Sequence, residues 1–404
     1  MVKVVRRLPS PRGAALLPQF TSIGALIGAL RPAAPVYALF PNRFQRAAAT
    51  FLTGFPGETM YAVKANPAPA VLDHLHQAGI RHFDTASLRE VELIKRRYPG
   101  ATCYFMAPVR PYGAAGAAFH HYGLRDFALD SEEELSRVLE ETGLKGTPRA
   151  RELTLYVRLA APSDGAAIEL SSKFGTTVAE GADLLKRIAA EGATPALTFH
   201  VGSLCLKPAA FEKALALCAE TIRQSGVSIA AIDVGGGFPA PYPGQAMPPM
   251  GEFFAAIASM RSRLPVAEDC HLRCEPGRAL VAEGMSVITQ VMLRRERELY
   301  LNDGIYGSLD ELSLPNWNVD YPLDVYAAQG EGDPQQREAK RVPFLAWGPT
   351  CDTLDKLPRP LMLPEDIATG DWVVFGMMGA YSCALRTGFN GFYPDQFADV
   401  IEGA

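Results

Sequence analysis

The chain has 404 residues, 48% of them hydrophobic, enough for a large core and for either one barrel or two to three domains. Its net charge of -5 and its scattered basic residues argue against nucleic acid and against an anionic membrane surface as partners. Seven cysteines, an odd number in a chain too large to need staples, point to reduced thiols in the cytoplasm. Only Cys270 and Cys274 lie close together, with no second Cys or His pair at zinc spacing, so no metal is expected. No run reaches the roughly 20 apolar residues of a membrane span.

Taken in chain order, Lys3, Arg6 and Arg7 precede the apolar stretch from Ala14 to Leu17, a faint likeness to a signal peptide. Pro9, Pro11 and Pro18 interrupt it. Thr21 to Leu30 reads as a short helix. Short apolar runs then recur from residue 36 to about 285. They are Thr59 to Val63, His82 to Thr85, Thr102 to Phe105, Asp126 to Leu129, Leu153 to Leu159, Ala196 to His200, Ala230 to Val234 and His271 to Cys274. Helical patterns separate them. Ser131 to Glu140 carries Leu135, Val138 and Leu139 on one face, with a capping box from Ser131 and Glu134. Asp183 to Ala190 and Phe211 to Ile222 are amphipathic in the same way. Eight strands alternating with helices predict an α/β fold, a parallel (β/α)₈ barrel over 36–285.

Beyond about residue 285 the pattern changes. Val287 to Leu293, Glu298 to Leu301, Arg341 to Ala346 and Trp372 to Phe375 read as strands separated by Pro and Gly, which predicts an all-β domain. Residues 1–35 have no place in the barrel and are expected to complete that domain with 286–404. Gln329 to Glu338 is polar and reads as an exposed loop.

In such a barrel the chemistry sits at the C-terminal strand ends. Lys64 ends the first strand, Asp84 and Glu90 follow the second, and Arg158 ends the fifth. His200, Gly202 and Ser203 end the sixth, Asp233 with Gly235, Gly236 and Gly237 the seventh, and Glu275, Gly277 and Arg278 the eighth. Each has a plainer reading when taken singly: a helix cap for Glu90, a core histidine for His200, a tight turn for the glycines, a surface ion pair for Arg278. Their common rim favours a site. Consecutive glycines let backbone N–H groups approach an anion, and the loops after strands seven and eight are where barrels hold phosphate. A histidine can stack on a flat ring, a carboxylate can keep a pyridine nitrogen protonated, and a lysine amine can form a Schiff base. Together these describe pyridoxal 5'-phosphate.

The chain resembles the ornithine/lysine decarboxylase family, the fold-type III pyridoxal-phosphate enzymes built as an alanine-racemase-like barrel plus a β domain. The ordered motifs are YAVKANP (61–67), FDTASLRE (83–90), LDSEEEL (129–135), SSKFG (171–175), FHVGS (199–203), DVGGGFP (233–239), EPGR (275–278), NDGIYGS (302–308), WGPTCDTLD (347–355) and GAYSCALRTGFNGF (379–392). By position the resemblance implies that Lys64 is the Schiff-base lysine, supported by Asp84, Glu90 and Arg158. It implies that His200 stacks on the ring and Glu275 faces its nitrogen. Ser203, Gly235, Gly236, Gly237, Gly277, Arg278 and Tyr381 would hold the phosphate. Cys351 and Asp352 would be lent to the neighbour's site in a homodimer, Cys351 as the acid that protonates the α-carbon.

The resemblance fails after Ser308. Where the family has a phosphate-binding tyrosine followed by a substrate-binding aspartate, this chain has Leu314 and Pro315. Asp310, Glu311 and Asp320 are nearby acids that could take the substrate's distal amine, and Asp352 and Tyr306 remain. The expected substrate is L-ornithine or L-lysine in polyamine biosynthesis. The alternatives are decarboxylation of another or conjugated amino acid in secondary metabolism, and a catalytically silent regulatory homologue. A racemase is disfavoured by the WGPTCD segment.

Overall fold

The computed structural model describes residues 17–168, 172–315, 317–328 and 332–402. Most of the signal-like stretch and the first residue of SSKFG lie outside them, as does part of the loop expected over 329–338.

Eight parallel strands close into a barrel: Glu58–Ala62, His82–Thr85, Thr102–Phe105, Asp126–Leu129, Thr154–Leu159, Thr194–Phe199, Ala231–Asp233 and His271–Cys274, the last pairing back to the first. Alternate side chains fill the interior, with Met60, Tyr104, Met106, Ala128, Tyr156, Ala196 and Ala231 in one buried cluster. At the N-terminal end Arg273 pairs with Glu58 at 2.7 Å and Asp126 at 3.4 Å. That end is therefore plugged by charge, and the C-terminal rim is left for chemistry.

Three of the helices between strands begin where short polar side chains cap them. Ser87 caps Leu88–Arg97, Ser131 caps Glu132–Glu141, and Thr177 with Glu180 forms a full capping box on Val178–Ala190. Each such cap contributes about 1 kcal/mol. The box expected from Ser131 and Glu134 is only half formed. Ser131 accepts the Glu134 amide at 3.3 Å, but the Glu134 carboxylate goes to Arg110 at 2.9 Å and to Arg137. A buried carboxylate beside two guanidiniums gains more from them than from one backbone N–H.

The second domain is a mixed sheet around the long strand Met285–Arg295. This strand pairs antiparallel with Trp372–Phe375, with Glu298–Leu301 and with Val36–Leu39. Leu323–Tyr326, Arg341–Trp347 and Leu361–Pro364 extend the sheet, and Gln396–Val400 runs parallel to Val36–Leu39. Gln19–Phe20 and the helix Ile23–Leu30 complete the domain from the N-terminal side, as expected for the described part of that segment. The expected boundary at residue 36 is displaced. Val36–Leu39 falls within the stretch expected for the barrel, but it lies wholly buried inside the β sheet, and the helix Pro41–Gly54 opens the barrel layer. Four consecutive buried residues between two sheet partners carry no alternation to betray their side of the boundary. Among the described residues no helix is long and apolar enough to cross a membrane.

Candidate active site

Lys64 sits in the single turn Val63–Ala65 that follows the first barrel strand. Two neighbours fix that turn. The Ala62 amide donates to the Pro276 carbonyl at 3.2 Å, and the Tyr381 amide donates to the Ala65 carbonyl at 2.8 Å. The Lys64 ammonium donates to Asp84 Oδ2 at 2.7 Å, and the lysine side chain is 38% exposed beside a fully buried aspartate. Burial opposes its charge, but the ionised, hydrogen-bonded Asp84 outweighs that and holds the ammonium above the ordinary lysine value. The second Asp84 oxygen is buried with no partner among the described residues. Glu90 accepts the Ala86 amide at 2.7 Å, so part of its role is at the helix start; burial raises its pKa.

His200 ends the sixth strand. Its Nδ1 accepts the Gly202 amide at 3.0 Å, which leaves the ring hydrogen on Nε2. Burial first, then Lys64 and Arg158, push its pKa well below the ordinary range, so the ring is neutral. Only a glycine fits beside it: a Cβ on Gly236 would stand 2.9 Å from Nε2. Gly235 has φ +64°, and a Cβ there would stand 1.9 Å from the Phe199 carbonyl oxygen. Arg158, at the end of the fifth strand, lies over the Phe174 ring at 5.4 Å.

Glu275 and Asp233 are buried together. Asp233 is already bonded by the Thr198 hydroxyl at 2.7 Å and the Gly235 amide at 2.9 Å. Two contacting carboxylates out of water cannot both ionise. Burial and Asp233 raise Glu275 well above the carboxylate range, so the shared proton resides on Glu275. Asp233 stands two residues before the glycines in the sequence, but its role as the partner of Glu275 became visible only in the fold.

The other residues expected at the phosphate lie together on one side of the rim. Ser203 opens the short strand Ser203–Cys205, and the Cys205 amide donates to the Gly237 carbonyl at 2.9 Å. Arg278 is buried. Its guanidinium faces the rings of Trp317 at 4.8 Å and Tyr381 at 5.0 Å, donates to the Tyr242 hydroxyl at 3.0 Å and reaches Ser203 Oγ at 3.4 Å. A Cβ on Gly277 would stand 2.9 Å from Ala65 Cβ, which packs this turn against that of Lys64. Trp317 and Tyr242 were not foreseen, because an aromatic residue in a loop of uncertain path carries no signal in sequence.

The four acids expected near the substrate lie in four different settings. Glu311 is not free: both its oxygens are taken by Arg278, at 2.5 and 2.9 Å. Its neighbour Asp310, one residue earlier in the same single turn, is half-buried, and burial raises its pKa. Asp320 is exposed, 3.6 Å from Arg359. Asp352 accepts the Tyr306 hydroxyl at 2.5 Å and the Leu354 amide at 2.9 Å. Cys351 is exposed, and its amide and thiol both meet Asn390 Oδ1, at 3.1 and 3.3 Å. The Tyr306 and Phe389 rings lie 4.8 Å apart. Cys351, Asp352 and Tyr306 thus form one partly exposed cluster whose hydrogen bonds, among the described residues, go to neighbouring loops and not to the Lys64 rim. Asp355, not foreseen, ties the cluster's loops together by accepting the Ile305 and Thr350 amides at 3.0 Å.

The rim residues suit pyridoxal phosphate. A partly exposed amine stands among acids, a neutral flat imidazole and a protonated carboxyl face the same space, and glycines lie beside a buried guanidinium with an N–H left unspent among the described residues. Lys64 could bind the cofactor's carbonyl carbon, Glu275 its ring nitrogen, and the glycines, Ser203, Arg278 and Tyr381 its phosphate.

Residues 39–282 match the pyridoxal-binding domain of the pyridoxal-dependent decarboxylases, and residues 199–379 match the C-terminal sheet domain of the same enzymes. The chain belongs to this family of carboxy-lyases, with pyridoxal phosphate as cofactor. It is 33% identical to the lysine/ornithine decarboxylase of Selenomonas ruminantium over 82% of this chain and 81% of that protein. It is 30% identical to the Aspergillus flavus decarboxylase flvG over 83% and 78%. The lysine/ornithine decarboxylase of Vibrio vulnificus, solved with cadaverine, superposes with a TM-score of 0.77 at 28% identity, covering 94% of this chain and all of that one.

Proposed function

We propose that the chain decarboxylates a basic L-amino acid, L-ornithine to putrescine or L-lysine to cadaverine, as a step of polyamine biosynthesis in the cytoplasm. One observation carries the reading: a lysine amine held 2.7 Å from a buried aspartate, on one barrel rim with a neutral histidine and a protonated glutamate. The lysine/ornithine decarboxylases among its relatives support the choice of substrate.

Bound at this rim, pyridoxal phosphate supplies the electron sink for breaking the bond between α-carbon and carboxylate. Lys64 anchors the cofactor and moves a proton at Nζ, with Asp84 holding the amine in place. Glu275 holds a proton that it can hand to a pyridine nitrogen, and His200 presents a neutral ring face. Cys351 acts from a second subunit, where its thiol gives a proton to the α-carbon. The homodimer reading is supported by the apolar side chains left exposed around Cys351: Leu354 at 70%, Tyr393 at 52%, and Phe389 and Phe392 at 42%. Such a patch is the usual mark of an interface.

Carbon dioxide release from ornithine, lysine, arginine, diaminopimelate and 2,4-diaminobutyrate tests the reading. The expected result is turnover of ornithine or lysine; turnover of none of the five would sink the choice of a basic substrate. A second reading, decarboxylation of another or conjugated amino acid, is favoured by Leu314 and Pro315 at the expected polar positions and by the engagement of Glu311 with Arg278.

A further inference from the structure

Arg278 and Glu311 form a fork-to-fork ion pair with both side chains only 3% exposed. Nη1 donates to Oε2 at 2.9 Å and Nη2 to Oε1 at 2.5 Å. The carboxylate is fixed from behind. The Tyr321 hydroxyl donates to Oε2 at 3.0 Å, and Trp317 Nε1 donates to that hydroxyl at 3.1 Å. The other edge of the guanidinium is largely unspent: Nε is buried without a partner among the described residues, and the second N–H of Nη2 makes only the long contact to Ser203 Oγ at 3.4 Å. Ser203 borders the glycine cradle, because a Cβ on Gly237 would stand 2.4 Å from the carbonyl oxygen of Gly202.

We propose that Glu311 is the standing counter-ion of the phosphate arginine. It keeps the Nη1–Nη2 edge when the cofactor binds, aims the Nε–Nη2 edge at the cradle of Gly235, Gly236, Gly237 and Ser203, and lowers the affinity of that cradle for phosphate. It is therefore not the acid that receives the substrate's distal ammonium. The inference rests on the reading that this cradle holds the cofactor's phosphate.

The physics has two sides. A guanidinium buried without a counter-ion is costly in the empty protein, and Glu311 removes that cost. A planar fork held on one edge also presents its other edge in a fixed direction, which gives geometric selectivity. Once phosphate arrives, however, a carboxylate and a dianion share one positive charge in a medium of low dielectric, and they repel. Phosphate is then held by N–H geometry more than by net charge. With two donors on Oε2 and one on Oε1, the Glu311 carboxylate has three of its roughly four acceptor sites engaged and is a poor receiver for an ammonium.

The test titrates empty wild-type and Glu311→Gln protein with pyridoxal phosphate, followed by absorbance of the bound cofactor, and with inorganic phosphate, followed by thermal shift. The variant is expected to melt lower when empty and to bind both ligands about tenfold tighter. Equal or weaker binding overturns the proposal. The KM for the amino-acid substrate is expected to stay within about twofold. A tenfold rise in KM with unchanged cofactor affinity returns Glu311 to the substrate and overturns it as well. If the variant does not fold, a crystal structure of the wild type with pyridoxal phosphate decides: both Arg278–Glu311 bonds retained supports the proposal, and an opened pair refutes it. Failure of the decarboxylase reading would show separately, as wild-type protein that releases no carbon dioxide while the two affinities still differ.

Discussion

The barrel rim and the Cys351 cluster are built on opposite plans. At the rim, Lys64, Asp84, His200, Glu275 and Arg278 are paired or packed by residues of their own chain, so that half of the site is finished internally. Around Cys351 the polar contacts are local and the apolar side chains, Leu354 foremost, remain uncovered. The difference separates cofactor binding, which one chain is equipped to do, from turnover, which on our reading requires two.

Each variant below tries that division. Lys64→Ala removes the anchor of the finished half and is expected to lower carbon dioxide release by roughly a thousandfold or more, with loss of the protein-bound cofactor absorbance. Glu275→Gln keeps the shape of the rim but removes the titrating proton, and kcat is expected to fall about a hundredfold. Retained full activity would show that Asp233 alone can serve the ring nitrogen. Cys351→Ala should also be nearly inactive while still binding cofactor. Mixing it with Lys64→Ala should restore about a quarter of the wild-type activity, because half of the randomly formed dimers then hold one intact composite site. No recovery after verified subunit exchange would mean that the thiol and the lysine serve the same chain's site. Leu354→Asp places a charge on the uncovered face and is expected to raise the dimer dissociation constant at least tenfold, or about 1.4 kcal/mol, in sedimentation equilibrium. Its monomers should keep the cofactor absorbance and lose turnover. A monomer that turns over would erase the distinction.

The smallest effect concerns the loop that bears Tyr306. Burial pushes the Asp303 carboxyl up to about 6, against an ordinary 3.8. A folded-state pKa above the unfolded one stabilises most below the unfolded value, and that contribution is lost as pH rises through about 6. Asp303→Asn lacks this loss. Its stability relative to wild type should therefore rise by about 1–2 kcal/mol between pH 4 and pH 7 in thermal melts. A pH-independent difference would place the charge of Asp303 in water.

The barrel strands were legible in the sequence because short apolar runs alternate with capped amphipathic helices, and Ser87, Ser131 and Thr177 mark where those helices begin. Rim residues followed from their place at strand ends. Some strands of the β domain were not legible: Val36–Leu39 owes its place to partners some 250 and 360 residues away, and Leu361–Pro364 and Gln396–Val400 have no periodicity of their own. Nor could sequence choose between Asp310 and Glu311. They are adjacent in one turn, and only the direction of that turn decides which carboxylate meets Arg278.

The segment after the last central strand of the β domain has a consequence for motion. Asn66 donates to the Gly379 carbonyl at 2.8 Å and accepts from the Cys383 thiol at 3.0 Å, and the Tyr381 amide closes onto Ala65. These bonds rivet the β domain to the very turn that carries the lysine. A hinge between the two domains would have to tear that turn apart, so the molecule is not expected to admit substrate by opening like a clam. In the proposed homodimer, traffic would pass instead through the side that carries Cys351, and product release should slow when that side is cross-linked shut.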